Sequence, residues 1–270
     1  MPVRVSFYFS AHEDDWQLFM NPSAFRDVLD GAKTVFVHVT AGDAGLGIKN
    51  GDRKHPYYLA RENGAESASH FMADAVAGAL AEASAAPATI NGHPIRRVGY
   101  RDTVAYFLRL PDGGTEGAGY AETGYQSLKR LAAGEIATLT AIDGSTAYQG
   151  WADLLATFRA LIDLERAQTA SVDLHVPELD PAINPNDHPD HVMTAKLALE
   201  AAENLSGRRI HHPGYNCGAL PENITGAERD MKCAVYAVTL AGVMALDHPT
   251  SWQHYDQSFV GRNYCRVSSK

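Results

Sequence analysis

The sequence predicts an α/β protein: a mostly parallel sheet with helices on both faces. Three observations predict it. Short runs rich in β-branched and aromatic residues alternate with longer stretches of helical pattern. The 270 residues, 45% of them apolar, suffice for a sizeable core, and are expected to form a single domain over residues 1–270. Finally, Gly-, Pro-, Asn- and Asp-rich stretches punctuate the chain where elements should end.

In order, residues 3–9 (Val-Arg-Val-Ser-Phe-Tyr-Phe) read as a first strand. Residues 16–29 read as a helix that Asn21-Pro22 can interrupt. Residues 33–40 form the clearest strand, closed by the loop signal Ala41-Gly42-Asp43-Ala44-Gly45. A long Ala- and Glu-rich helix is expected over residues 58–85, with the Ala-rich segment 79–88 read as its end. Strands follow at 95–100 and 103–108, then a glycine-rich loop over 111–119. An amphipathic helix over 151–166 precedes a strand at 171–176 and a Pro/Asn/Asp loop over 177–190. A helix over 191–205, a short strand at 208–211 and a helix over 227–246 complete the reading.

Composition excludes several roles. The net charge is −9 and no basic cluster stands out, which disfavours nucleic acid and anionic membranes as partners. No stretch approaches the length of a membrane span, and the first residues do not resemble a secretory signal. Cys217, Cys233 and Cys265 are odd in number and lack C-x-x-C spacing, so reduced thiols in a cytoplasmic protein are expected. The glycine-rich segment 112–120 lacks a dinucleotide fingerprint and reads as a flexible loop framing a cleft. No G-x-S-x-G elbow is present.

The chemistry concentrates in two clusters. Ala11-His12-Glu13-Asp14-Asp15 follows the first strand, and Asp187-His188-Pro189-Asp190-His191 precedes a helix. In a parallel sheet both lie where ligands bind, beyond the carboxyl ends of strands. Their imidazoles and carboxylates match a catalytic zinc site, in which three protein ligands leave one position open. His12 and Asp15 can converge if the chain turns as it leaves the strand, and His191 can complete the set. Asp14 is then left as a base and His188 as an oxyanion stabiliser or proton donor. Asp187 or Asp190 can orient a ligating imidazole. Each cluster also has a plain structural reading: Asp14 or Asp15 as a helix cap, and H-P-D-H as a turn with Asp190 capping the next helix.

Ala11 to Asp15 resembles the A-H-P-D-D motif of the LmbE/PIG-L zinc-dependent N-acetylglucosaminyl deacetylases, and His188 to His191 is identical to their H-P-D-H motif. Weaker similarity runs through Thr40-Ala41-Gly42, Arg61, Glu66, the segment from Tyr215 to Pro221-Glu222-Asn223-Ile224, and Lys232. The resemblance implies a Rossmann-like fold and hydrolysis of an N-acyl amino sugar. It implies zinc on His12, Asp15 and His191, with Asp14 as general base and His188 at the oxyanion. Arg61 would face the substrate or pair with Glu66, the latter favoured. Glu13 replaces the family's usual proline, and Trp16 the acid that commonly follows. Trp16 packs in the core or walls the substrate. The A-H-E-D-D-W string resembles a branch acting on glycopeptide-antibiotic pseudoaglycones.

The expected function is therefore zinc-dependent removal of an N-acetyl group from an N-acetylglucosaminyl conjugate, with a glycoconjugate as the small-molecule partner. A glycopeptide-antibiotic pseudoaglycone is the first substrate expected; the alternatives are a small N-acetylglucosaminyl conjugate, or a non-catalytic glycan- or glycopeptide-binding protein on the same fold. Tyr215 and Asn216 are further candidate substrate contacts. His38 and His175 read as core or edge histidines, and His211-His212 as structural residues that a strand end could also bring near the site.

Overall fold

This computed structural model describes residues 4–76, 81–166, 171–253 and 256–269. In chain order the elements are β1 (Arg4–Ser10), α1 (Ser23–Leu29), β2 (Lys33–Thr40), α2 (Tyr57–Asp74), β3 (Ser84–Ile90), β4 (His93–Tyr100) and β5 (Thr103–Leu110). There follow α3 (Leu128–Ala132), β6 (Thr138–Thr140), β7 (Ala147–Gln149), α4 (Gly150–Arg166) and β8 (Ser171–Pro177). The last are α5 (Pro189–Ala201), β9 (Arg208–His212), α6 (Gly226–Ala245) and β10 (Arg266–Ser269). A π-helical turn, Trp16–Met20, precedes α1 and ends at the cis Asn21-Pro22 bond.

Eight strands form one sheet in the order β10-β9-β8-β1-β2-β5-β4-β3. The run β9-β8-β1-β2-β5 is parallel, and antiparallel strands close both edges. The period of two sorts side chains between two cores. Val5, Phe7, Phe9, Val35, Val37 and Val39 face α4 and α5 through Phe158, Leu161 and Leu197. Tyr8, Phe36, Ala105 and Phe107 face α1, α2 and α6 through Phe25, Met72 and Tyr236. Burial on both faces is why the middles of β1 and β2, Phe7–Phe9 and Val35–Val37, are runs of large apolar and aromatic residues.

On the second face α2 and α6 cross at glycines. A Cβ on Gly64 would stand 2.6 Å from the Thr239 carbonyl oxygen, and one on Gly242 would stand 2.7 Å from the Gly64 Cα. Only glycine lets the two backbones approach this closely.

The chain leaves β1 on one side for β2 and returns on the other as β8, so strand order reverses between β1 and β8. A crevice opens at the carboxyl ends of such a pair. Both polar clusters lie there.

Two expectations are corrected. The helix expected over 58–85 ends at Asp74, and residues 84–90 are the edge strand β3; residues 77–80 lie outside the described residues, as does Val3 of the first strand. Pro87 fits an edge, where a missing N–H is tolerated. The helix expected from His191 starts at Pro189. Residues 16–29 hold two helical pieces, divided at Asn21-Pro22 where an interruption was expected. No helix among the described residues is long and apolar enough to cross a membrane.

Candidate active site

The chain turns directly after β1, and Asp15 fastens the turn. Its Oδ2 accepts a hydrogen bond from the His12 backbone N–H at 2.8 Å. The turn brings His12 Nδ1 to 3.6 Å from Asp15 Oδ1. Across the crevice, His191 in the first turn of α5 places Nε2 3.3 Å from the same oxygen. One ligand atom from each of His12, Asp15 and His191 lies within 4.8 Å of the others, and all three residues are buried. His12 Nε2 and His191 Nε2 have no hydrogen-bond partner among the described residues. Unpaired buried polar atoms are costly and call for an explanation. Two imidazoles and a carboxylate converging without thiolates fit a divalent transition metal such as zinc.

The surroundings orient these groups. Asp187 sets Oδ1 and Oδ2 at 3.1 and 3.0 Å from His191 Nδ1, leaving Nε2 for the shared centre. His188 is the N-cap of α5: its Nδ1 accepts from the Asp190 N–H at 3.2 Å. The cap is thus His188 and not Asp190, correcting the turn reading. Asp190 Oδ2 instead accepts from the Gly113 N–H at 2.8 Å and lies 3.6 Å from His12 Nε2. Gly113 is required there, since its Cβ would stand 2.6 Å from Asp190 Oδ1.

Asp112 is a member of the site that sequence reasoning missed. Its Oδ2 lies 4.0 Å from His12 Nε2, and with His188 and Asp190 these residues form a second potential ligand cluster. Its position just past β5, at the carboxyl edge of the sheet, was the available signal.

The sequence profile of PIG-L, GlcNAc-PI de-N-acetylase, matches residues 7–202. The chain belongs to the PIG-L family. It is accordingly an N-deacetylase. No curated protein sequence matches the chain. Among solved structures, a deacetylase triple mutant (Orf2*T) of the teicoplanin biosynthetic pathway is similar at 15% identity, with 99% of this chain and 98% of that chain covered and a TM-score of 0.50. The zinc-inhibited form of teicoplanin deacetylase Orf2 is 16% identical over 99% and 98%, with a TM-score of 0.48. N,N'-diacetylchitobiose deacetylase from Pyrococcus horikoshii is 13% identical over 99% and 84%, also at 0.48. The first likeness bears out the α/β architecture with its mostly parallel sheet.

In this PIG-L deacetylase, Arg61 does not pair with Glu66, which binds Arg96 instead. Arg61 reaches the opposite way. Its Nε lies 3.1 Å from Glu13 Oε2, Nη1 donates to the Gly42 carbonyl at 3.2 Å, and Nη2 donates to Asp14 Oδ1. The geometry explains the correction: Arg61 lies on the end of α2 nearest the crevice, while Glu66 lies more than a turn further along. Trp16, a candidate substrate wall, is fully buried and packs on Phe36 at a centroid distance of 4.4 Å, so it is core.

Tyr215 is 38% exposed and stacks on the His191 ring at 5.3 Å. Asn216 Nδ2 donates to Asn184 Oδ1 and the Pro185 carbonyl, at 2.7 and 2.9 Å, fastening the loop before the H-P-D-H segment. His38 stacks on Phe107 in the core. His175 Nδ1 is 3.0 Å from His212 Nε2, and His211 faces Ser268, so these histidines are engaged outside the centre.

Electrostatics follow from burial and pairing. Burial works against the charged form of His191, but Asp15 and Asp187 outweigh it and raise its pKa to about 10. His12 is raised in the same way against burial, chiefly by Asp15. Asp15 is lowered well below the usual range because His191 and His12 overcome the burial penalty. Burial pushes Glu13 up to about 8 against the pull of Arg61. Burial, then the neighbouring His12, lowers His188.

Proposed function

We propose that this enzyme uses zinc to remove the acetyl group from an N-acetylglucosaminyl conjugate, with a glycopeptide-antibiotic pseudoaglycone as the substrate class to try first. The observation that carries the reading is the convergence of His12, Asp15 and His191 beside Asp14, with two buried imidazole nitrogens unsatisfied. His12, Asp15 and His191 would hold the metal, which when bound supplies Lewis-acid polarisation of the amide carbonyl and acidifies a water.

The chain's own residues do the rest. Asp14 takes the proton from the attacking water and returns it to the departing amine. His188 meets the oxyanion. Its Nδ1 is occupied as an acceptor by the Asp190 N–H, so the neutral ring carries its proton on Nε2 and donates from there. The lowered pKa keeps that ring neutral near pH 7. Arg61 and Tyr215 border the substrate.

A cleft adjoins the Asp14 side of the site. The crevice at Glu13, Asp14 and Arg61 shares Tyr57, Pro249 and Ser251 with a cleft of about 710 Å³ that also touches Leu46, Arg53 and His248. That volume lies in the range of ordinary ligand pockets.

The test is metal content of the purified protein together with acetate release from a pseudoaglycone, before and after chelation. About one equivalent of zinc with chelator-sensitive release supports the reading. Absence of metal sinks the centre as described, and metal without release from any N-acetylglucosaminyl conjugate sinks the substrate class. Asp14→Asn should abolish turnover while zinc stays bound.

A further inference from the structure

Glu13 stands where the family commonly carries proline, and it is only 2% exposed. A buried carboxyl group needs a partner to be tolerated. Its Oε2 makes no hydrogen bond among the described residues, and the cation paired with it is the guanidinium that also grips Asp14. Glu13 Oε2 faces Arg61 Nε at 3.1 Å, the Gly42 carbonyl takes Nη1 at 3.2 Å, Asp14 takes Nη2, and the Tyr57 ring centroid lies 5.6 Å from the guanidinium carbon. The end of β2 leaves space for this arrangement. A Cβ on Gly42 would stand 2.6 Å from Glu13 Oε2 and 2.9 Å from Arg61 Cζ, at a backbone φ of +49°.

We infer that Glu13 is a positioning residue: it fixes Arg61 from behind so that the guanidinium clamps the Asp14 carboxyl in the orientation needed to take a proton. The inference rests on the reading of Asp14 as the base. An arginine side chain is long and has many rotamers, so one contact to Asp14 would not define where either group points. Two further contacts, from Glu13 and Gly42, leave the guanidinium a single seat. If the Glu13 contact is lost, Asp14 loses its aim, and misplacement by about 1 Å can cost as much as about 100-fold in rate.

The test compares Glu13→Leu, Glu13→Gln, Arg61→Met and the Glu13→Leu/Arg61→Met double variant, each as zinc-loaded full-length protein. Leucine fills the space without an acceptor, whereas glutamine keeps an oxygen towards Nε. Expected is a fall in kcat of about tenfold or more for Glu13→Leu, KM within about twofold, and recovery of most of the rate in Glu13→Gln. On the Arg61→Met background Glu13→Leu should add nothing. In 15N spectra rotation of the Arg61 guanidinium about its Nε–Cζ bond should be slow in the starting protein and in Glu13→Gln, where its Nη groups stay on Gly42 and Asp14, and faster in Glu13→Leu at unchanged zinc content.

A wild-type kcat in Glu13→Leu, penalties that multiply with those of Arg61→Met, or an unchanged guanidinium rotation rate would each overturn the inference. Should Glu13→Leu fail to fold, Glu13→Asp replaces it. Withdrawal of the oxygen by one methylene should slow the enzyme relative to Glu13→Gln, and equal rates overturn the clamp. The rotation measurement needs no turnover, so it separates this inference from the base assignment, which falls independently if Asp14→Asn keeps turnover.

Discussion

Asp187 holds both carboxylate oxygens against Nδ1 of His191, 3.1 and 3.0 Å away, four residues apart across the start of α5. This contact seats Nδ1 and leaves Nε2 facing Asp15. Gly214 makes room for it, since a Cβ there would stand 2.7 Å from Asp187 Oδ1 and 2.9 Å from His191 Nδ1. A carboxylate behind a ligating imidazole also raises its basicity. Asp187→Ala should therefore weaken metal binding about 10- to 100-fold, read by competition with a chromophoric chelator. Unchanged affinity would assign the ring's orientation to the Tyr215 stack alone.

His188→Ala should separate binding from chemistry. The residue is the N-cap of α5 and, under the proposed mechanism, the donor to the oxyanion. Loss of an oxyanion donor costs about 100- to 1,000-fold in kcat. Loss of a cap costs about 1 kcal/mol of stability. Steady-state kinetics and a melting curve on the same preparation should show both effects. A kcat reduced less than tenfold would remove His188 from the mechanism.

The centre of the sheet and the turns of the two polar motifs were legible because each is local in sequence. Lys33–Thr40 is buried along almost its whole length, so its composition alone marks it as a strand. H-x-x-D and H-P-D-H each fold back within a few residues. What failed depended on distant partners. The choice of Arg61 between Glu66 and the Glu13–Asp14 pair is decided by contacts 47 and 48 residues away in sequence, which helical spacing cannot see. Trp16 is core because Phe36 on β2 packs against it. Residues 84–88 read as a helix end by their alanines, yet they belong to the strand Ser84–Ile90 because its ladder to β4 outweighs propensity. The overlooked signal was the turn Asn91-Gly92, with φ of 50° and 83°, the pairing that two-residue hairpins favour.

Asp27 should govern part of the acid stability. It binds Arg4 at 2.6 Å and Tyr8 at 2.7 Å, with His175 Nε2 3.5 Å away. Burial alone would raise its pKa, but His175 and Tyr8 more than offset that and lower it from the ordinary 3.8 to about 2. A depressed carboxyl contributes stability that is fully present above the unfolded value and is lost as pH falls through the folded one. Asp27→Asn should cost about 2 kcal/mol at pH 7, and the difference from the starting protein should fade between about pH 4 and pH 2. Denaturant melts at several pH values measure it. A difference that stays constant down to pH 2 would assign the effect to packing alone.

Lys232 gives the opposite limb. Its ammonium is fully buried in α6 and donates to the carbonyl oxygens of Leu18 and Arg262 at 2.6 and 2.5 Å, joining the π-helical turn to the C-terminal segment. Burial lowers its pKa from 10.5 to about 7, because the two carbonyls do not replace the lost hydration of a charge. The unfolded chain therefore binds more protons than the folded one between about pH 7 and pH 10.5, and stability must rise with pH across that window. Lys232→Met keeps the bulk of the stem but strands both carbonyls, so it should destabilise the fold at every pH. The diagnostic is the slope. Denaturation of the starting protein at pH 7 and pH 9 should show stability gained from this site, while Lys232→Met loses that gain. Parallel curves for the two proteins would mean that Lys232 keeps its proton in the folded state and that the two carbonyls solvate the charge.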